Sequence, residues 1–243
     1  ATLAHMNRQY GWSVDPDWLV WLPGVVPGLS LACRAIAGDV MTATPIYPPF
    51  LAVPESAGRV LTTAALHLDD EAGHRQWRWD WAALEAAVTP TTRLLLLCHP
   101  HNPVGRAWRA DELAKLADFC QRHDLYVCSD EIHCDLILDA DKRHMPLALA
   151  HPELASRCMT LMAPSKTYNI PGLGCSFAII QDPVLRARFA EAMCGIVPDV
   201  NVLGLVAAEA AYREGEPWRR AALDVLRARR DRVEQAVTDM PGL

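Results

Sequence analysis

Short apolar runs alternate along this chain with segments whose apolar residues return at helical spacing. Trp18–Leu22 reads as a strand, Asp39–Thr44 as a second, and Arg59–Leu66, rich in Val, Leu and Thr, as a third. Arg93–Cys98 is a near-continuous apolar run, as in strands covered on both faces of a parallel sheet. Leu125–Ser129, Cys158–Ala163 and Cys175–Ile180 complete the strand set. Ala1–Arg8 reads as the end of a helix, and Leu29–Ala37 as a helix behind the turn Pro23–Gly28. Asp80 is placed to cap a helix that runs to about Val88 and stops before Pro90. Leu113, Leu116, Ala117 and Cys120 share one helical face, and Pro183–Met193 and Val202–Tyr212 are further helices. In the last helix, Pro217–Met240, the spacing turns Leu223, Leu226, Val233, Val237 and Met240 inward and leaves Arg227, Arg229, Arg230 and Arg232 solvated.

Strands alternating with helices predict an α/β fold with a mostly parallel sheet. The connection from the sixth strand to the seventh is too short for a parallel crossover, so the seventh is expected to run antiparallel.

Composition narrows the classes. The chain has 243 residues, enough for one large domain or two small ones, and 51% are apolar, enough for a sizeable core. The net charge of −6, with both signs spread along the chain, argues against nucleic acid as the main partner. No apolar run approaches the roughly 18 residues of a membrane span, and the first residues carry neither a basic start nor an apolar signal core. None of the eight cysteines is spaced as C-x-x-C. Cys33, Cys98, Cys128, Cys158 and Cys175 sit in apolar segments, which fits buried thiols in a reducing cytoplasm.

The candidate chemistry lies just past strand ends, where ligands bind in open α/β sheets. Lys166 follows the sixth strand in Ala163–Leu173, APSKTYNIPGL. A lysine in such a turn can be partly desolvated and held near other cations, which favours its neutral, nucleophilic form. Asn102 follows the fourth strand, and Asp130 and His133 follow the fifth. A lysine that forms a Schiff base, with a carboxylate for a pyridinium nitrogen, is the minimum kit for pyridoxal phosphate. In that reading Asp130 keeps the ring nitrogen protonated, Asn102 and His133 reach the phenolate oxygen, and Tyr47 covers the ring face. The turn Gly24–Gly28, with Val26 and Pro27, and the helix behind it would take the phosphate. Each residue has a plainer reading. Lys166 is a solvated charge, Asp130-Glu131 a surface turn, Asn102-Pro103 a turn starter, Tyr47 a packing residue and Pro23–Gly28 a connecting turn that lacks GxGxxG. His99, His101 and His133 raise a metal site, but no acidic ligand cluster or standard spacing accompanies them, and none is assigned.

HPHNPVGRAW (99–108), SDEIHCDLIL (129–138) and APSKTYNIPGL (163–173) together resemble the fold-type I pyridoxal phosphate enzymes of the class I/II aminotransferase superfamily. With WLVWLPGVVPGLSLA (18–32) and TPIYPPF (44–50), they are most similar to its cystathionine β-lyase branch. The resemblance spans essentially the whole chain. It implies a seven-stranded sheet in spatial order third, second, fourth, fifth, sixth, seventh, first. It implies that Lys166 carries pyridoxal 5′-phosphate covalently, that Asp130 binds the pyridine nitrogen, that Asn102 and His133 bind the phenolate oxygen and that Tyr47 stacks on the ring. The position three residues after Asp130 is histidine here, where many aminotransferases have tyrosine. Ser165 is a phosphate contact only by position, since Ala163 stands where relatives carry serine.

The resemblance also implies more protein at both ends. Residues 1–243 correspond to the cofactor-binding large domain, and 217–240 lead toward a small C-terminal domain. The arginine for the substrate carboxylate and the tyrosine for a partner subunit's phosphate fall outside the chain, which by itself is expected to turn over weakly or not at all. The expected activity is β-elimination from cystathionine or related sulfur amino acids in a homodimer with the site near the subunit interface. Amino transfer is the alternative within the family, and a regulatory interaction role the alternative outside it. The Asn102–Pro103 peptide is expected to be cis.

Overall fold

A computed structural model describes residues 1–71 and 74–240. In chain order the elements are α1 (Thr2–Tyr10), β1 (Leu19–Leu22), α2 (Val25–Ala35), β2 (Asp39–Thr44), α3 (Pro49–Ser56), β3 (Leu61–Ala65), β4 (His67–Glu71), β5 (His74–Arg78), α4 (Trp81–Ala87) and β6 (Thr92–Cys98). There follow α5 (Ala110–Arg122), β7 (Tyr126–Asp130), α6 (Leu147–Ala150), β8 (Cys158–Met162), β9 (Ser176–Ile179), α7 (Pro183–Met193), α8 (Val202–Glu214) and α9 (Glu216–Thr238).

Seven strands form one sheet in the order β1-β9-β8-β7-β6-β2-β3. Strand β9 is antiparallel to both β1 and β8, and the remaining pairs are parallel. Order and directions are those expected. Only a short 3-10 turn, Pro171–Leu173, lies between β8 and β9, so the chain returns without a crossover helix. Alternation along the central strands splits the core in two. Leu95, Leu97 and Val127 pack with Leu113, Leu116 and Phe119 of α5 on one face. Leu94, Leu96, Cys128 and Leu161 pack on the other with Leu29 and Leu31 of α2, Phe50 of α3 and Phe189 of α7. Gly28 allows α2 to lie this close: a Cβ there would stand 3.0 Å from both Leu161 and Leu22.

Helix starts follow their caps. Asp80 accepts the Ala83 N–H, as expected, and Asp182 and Asn201 do the same for α7 and α8. Helix α2 begins at Val25, four residues before the expected Leu29. Pro27 falls in its first turn, where a missing N–H breaks no helical bond. Helix α3, unpredicted among its prolines, begins with Pro49 in the same tolerated place. The β4–β5 hairpin was also unpredicted, because its polar strands carry no apolar alternation.

Helix α9 departs most. Of the five residues expected inward only Leu223 is buried, while Leu226, Val233, Val237 and Met240 are exposed. The arginines are not simply solvated either. Arg227 donates to the Leu138 carbonyl at 2.6 Å, and Arg230 pairs with Asp139 at 2.8 Å. Leu223, Arg227 and Arg230 are spaced i, i+4, i+7, so the face against the body is set by arginine bonds to one loop. Apolar spacing alone selected a neighbouring stripe.

Candidate active site

All parallel strands end on one edge, and the loops beyond β2 and β6 are tied there. The Tyr47 N–H donates to the Asn102 carbonyl at 3.1 Å, and His101 Nε2 donates to the Pro45 carbonyl at 2.9 Å. The Asn102–Pro103 peptide is cis, as expected, and so are Thr44–Pro45 and His99–Pro100. Tyr47 is 39% exposed, so its ring is not covered by packing. The Asn102 N–H points back to Cys98 Sγ at 3.3 Å.

Strand β7 delivers Asp130 as its last residue, buried at 5% exposure. Its Oδ1 accepts the Ile132 N–H at 3.1 Å, and among the described residues Oδ2 accepts nothing. Burial pushes the carboxyl up to about 7; the Glu131 charge adds to that, while the Ile132 N–H and Lys166 oppose it. His133, half-buried, is held below its ordinary range by burial and by Lys166. The Lys166 charge therefore acts on both residues, and the turn after β8 brings it beside the end of β7. That turn is braced by the Tyr168 N–H to Pro164 at 2.9 Å and the Ile170 N–H to Ser165 at 3.0 Å. Lys166 itself is exposed rather than partly desolvated.

The chain has three lysines. Lys115 lies over the Trp81 ring at 5.9 Å, and Lys142 pairs with Asp141 at 2.9 Å. Among the described residues Lys166 has no such partner. An available amine next to a buried carboxyl with an open oxygen fits an aldehyde-bearing pyridinium.

Strand β1 runs parallel to β8, so α2 presents its N-terminus to the same edge. The N–H groups of Val25 and Val26 precede its first helical bond, from Gly28 to Gly24 at 3.4 Å, and can meet an anion. Pro27 has no N–H, so it can line a phosphate site but not donate to it. Ser165 is half-buried on the lysine turn.

Glu131, a plain surface-turn residue by sequence, is a buried anchor. It is 0% exposed, and its carboxylate accepts the Ser129 hydroxyl at 2.8 Å, His144 Nε2–H at 2.6 Å and the Leu147 N–H at 3.1 Å. The i, i+2 spacing of Ser129 and Glu131 at the end of an apolar strand was the available signal. His5 and Tyr10 of α1 bind Asp135, and with Arg219 they hold its carboxyl below the ordinary range against the effect of burial. His99 Nε2 donates to the Met145 carbonyl at 3.1 Å, and its Nδ1 accepts the Trp108 N–H at 3.3 Å. Burial lowers His99 to about 3 and His101 to about 4, so both are neutral hydrogen-bonding groups at ordinary pH. No group of three potential metal ligands occurs among the described residues. A cavity of about 650 Å³ lined by Asn102, His133, Arg106 and Trp108 opens beside the edge; Lys166 and Asp130 do not line it.

The aminotransferase class I and II family model matches residues 1–241. The chain is 39% identical over 223 residues to cystathionine β-lyase PatB of Bacillus subtilis, covering 90% of this chain and 56% of that protein. It thus spans little more than half the length of the curated relatives it matches. A crystal structure of OvoB superposes with a TM-score of 0.94 at 49% identity, covering 99% of this chain and 63% of that one. Cystalysin of Treponema denticola, whose crystal structure contains pyridoxal 5′-phosphate, superposes with a TM-score of 0.86 at 34% identity over 92% of this chain and 57% of that one.

Proposed function

Because the chain belongs to the class I and II aminotransferase family, we propose that it is the cofactor-binding part of a pyridoxal 5′-phosphate-dependent carbon–sulfur β-lyase. The substrate is cystathionine or a related cysteine S-conjugate, and the products are a thiol, pyruvate and ammonia. The observation that carries this is that buried Asp130, at the carboxyl edge, lies within range of the Lys166 charge, which opposes the upward push of burial on its carboxyl. Similarity to cystathionine β-lyase PatB supports lysis over transfer.

When bound, the cofactor supplies an electron sink for negative charge at the substrate's Cα. Lys166 would hold it through its amine, and its Nζ, once free, would take the substrate's Cα proton as general base. Loss of that proton and of the β-thiolate, with water added, would give thiol, pyruvate and ammonia. Asp130 would keep a proton on the ring nitrogen, Asn102 and His133 would bind the phenolate oxygen, and Tyr47 would cover one ring face. The Val26 N–H and the α2 N-terminus bind phosphate, with Pro27 and Ser165 beside it.

A homodimer in the cytoplasm is part of the same proposal. Helix α8 supports the dimer: Val202, Leu203 and Val206 are 69%, 67% and 59% exposed, an apolar stripe suited to a second copy. Leu203→Glu in the full-length protein is expected to halve the mass measured by light scattering, and an unchanged mass would place the interface elsewhere.

The functional test is product identity with the full-length protein. Free thiol and pyruvate in equal amounts from cystathionine support lysis. A new amino acid formed from an added keto acid supports the second reading, amino transfer. Bound cofactor with neither product supports a regulatory interaction role.

A further inference from the structure

Asp130 is flanked in sequence by two residues that bond to each other. Ser129 and Glu131 sit two apart and turn to the face opposite Asp130. There the Ser129 hydroxyl donates to Glu131 Oε1 at 2.8 Å, and His144 and the Leu147 N–H supply two more donors. Ser129 and Glu131 are both 0% exposed. The Glu131 N–H also donates to the Leu161 carbonyl of β8 at 2.8 Å, which links this point to the strand that delivers Lys166. On the other side, among the described residues, Asp130 has a single side-chain bond, from Ile132. One contact does not fix both oxygens of a carboxylate, so its direction depends on the backbone, and the backbone is held from behind.

We propose that Glu131, clamped by Ser129, His144 and the Leu147 amide, is the positioning residue that aims Asp130 at the ring nitrogen. This rests on the reading of Asp130 given above. Glu131 touches neither cofactor nor substrate; it acts through Asp130. The requirement is for an acceptor of that shape, not for its charge.

The experiment uses the full-length protein, freed of cofactor and titrated with pyridoxal 5′-phosphate or with its 1-deaza analogue, in which CH replaces the ring nitrogen. Glu131→Ala is expected to weaken binding of pyridoxal 5′-phosphate about tenfold, as for the loss of a well-made bond to a charged group, and to leave the analogue unaffected. Glu131→Gln keeps an acceptor for Ser129 and Leu147 and should restore most of the difference. Ser129→Ala should give a smaller loss with the same selectivity, and it alone decides the matter if Glu131→Ala does not fold. Equal loss for both ligands, no loss for either, or a Gln variant no better than Ala would overturn the clamp. Asp130→Asn in the otherwise unaltered chain must erase the preference for the ring nitrogen. If that preference survives, the reading of Asp130 falls and the clamp falls with it. If it is erased while Glu131→Ala stays neutral, only the clamp falls.

Discussion

Asp130 and Glu131 are adjacent, both buried, and both pushed by burial up to about 7. Their surroundings differ sharply. Glu131 collects three donors, whereas among the described residues Asp130 keeps one, on Oδ1. A buried carboxylate with full coordination holds the chain together. A buried carboxylate without it is costly to the fold and free to take a ligand. The difference between neighbours, rather than the burial of either, marks which one faces chemistry.

The largest expected effect lies on the open side. Lys166→Ala in the full-length protein should lower pyruvate release from cystathionine by at least about a thousandfold, the scale of losing a positioned base, with an unchanged circular-dichroism spectrum. Near-normal turnover would remove Lys166 from the reaction.

Asp130→Asn should be almost as damaging to activity and yet stabilise the cofactor-free protein. Because burial raises Asp130 to about 7, the folded chain keeps a proton there that the unfolded chain has released. Its charge therefore reduces stability progressively from about pH 4 to about pH 7, and fully above that. Asparagine keeps the Ile132 bond and removes the charge. The gain should be absent below about pH 4 and reach on the order of 4 kcal/mol above pH 7. Urea unfolding at pH 4 and pH 8 checks both sign and window; a loss of stability at pH 8 would mean that Asp130 is as well satisfied as its neighbour.

Glu131→Ala should act in the opposite direction. It strands the Ser129 hydroxyl, His144 Nε2–H and the Leu147 amide, and should destabilise by on the order of 3 kcal/mol. Ser129→Ala, which removes one donor of the three, should cost about 1 kcal/mol. If both variants unfold at the midpoint of the unaltered protein, the contrast between the two carboxylates fails.

Much of this was legible before the structure. The apolar runs at β6, β7 and β8 fixed the central sheet, and the short β8–β9 connection fixed the antiparallel strand, because strand burial and crossover length are local properties of sequence. The strand-end positions of Asn102, Asp130, His133 and Lys166 were legible for the same reason. What escaped was set by polar bonds between distant segments. The i, i+2 spacing of Ser129 and Glu131 hints at a shared buried face, but His144 and Leu147 arrive from beyond a loop and no local spacing announces them. Helix α9 turns Arg227 and Arg230 to the body because carbonyl and carboxylate acceptors at Leu138 and Asp139 wait there. Pro27 was legible as part of an anion-facing turn, but its missing N–H mattered only once the helix was seen to begin at Val25.

The claim beneath all of this is that Lys166 carries the cofactor, and attachment can be read directly. The full-length protein is loaded with pyridoxal 5′-phosphate, reduced with borohydride and digested, and the modified peptide is sequenced by mass spectrometry. The account predicts the pyridoxyl group on Lys166 and unmodified Lys115 and Lys142. Stoichiometric label on either of those, or none on Lys166, would contradict it.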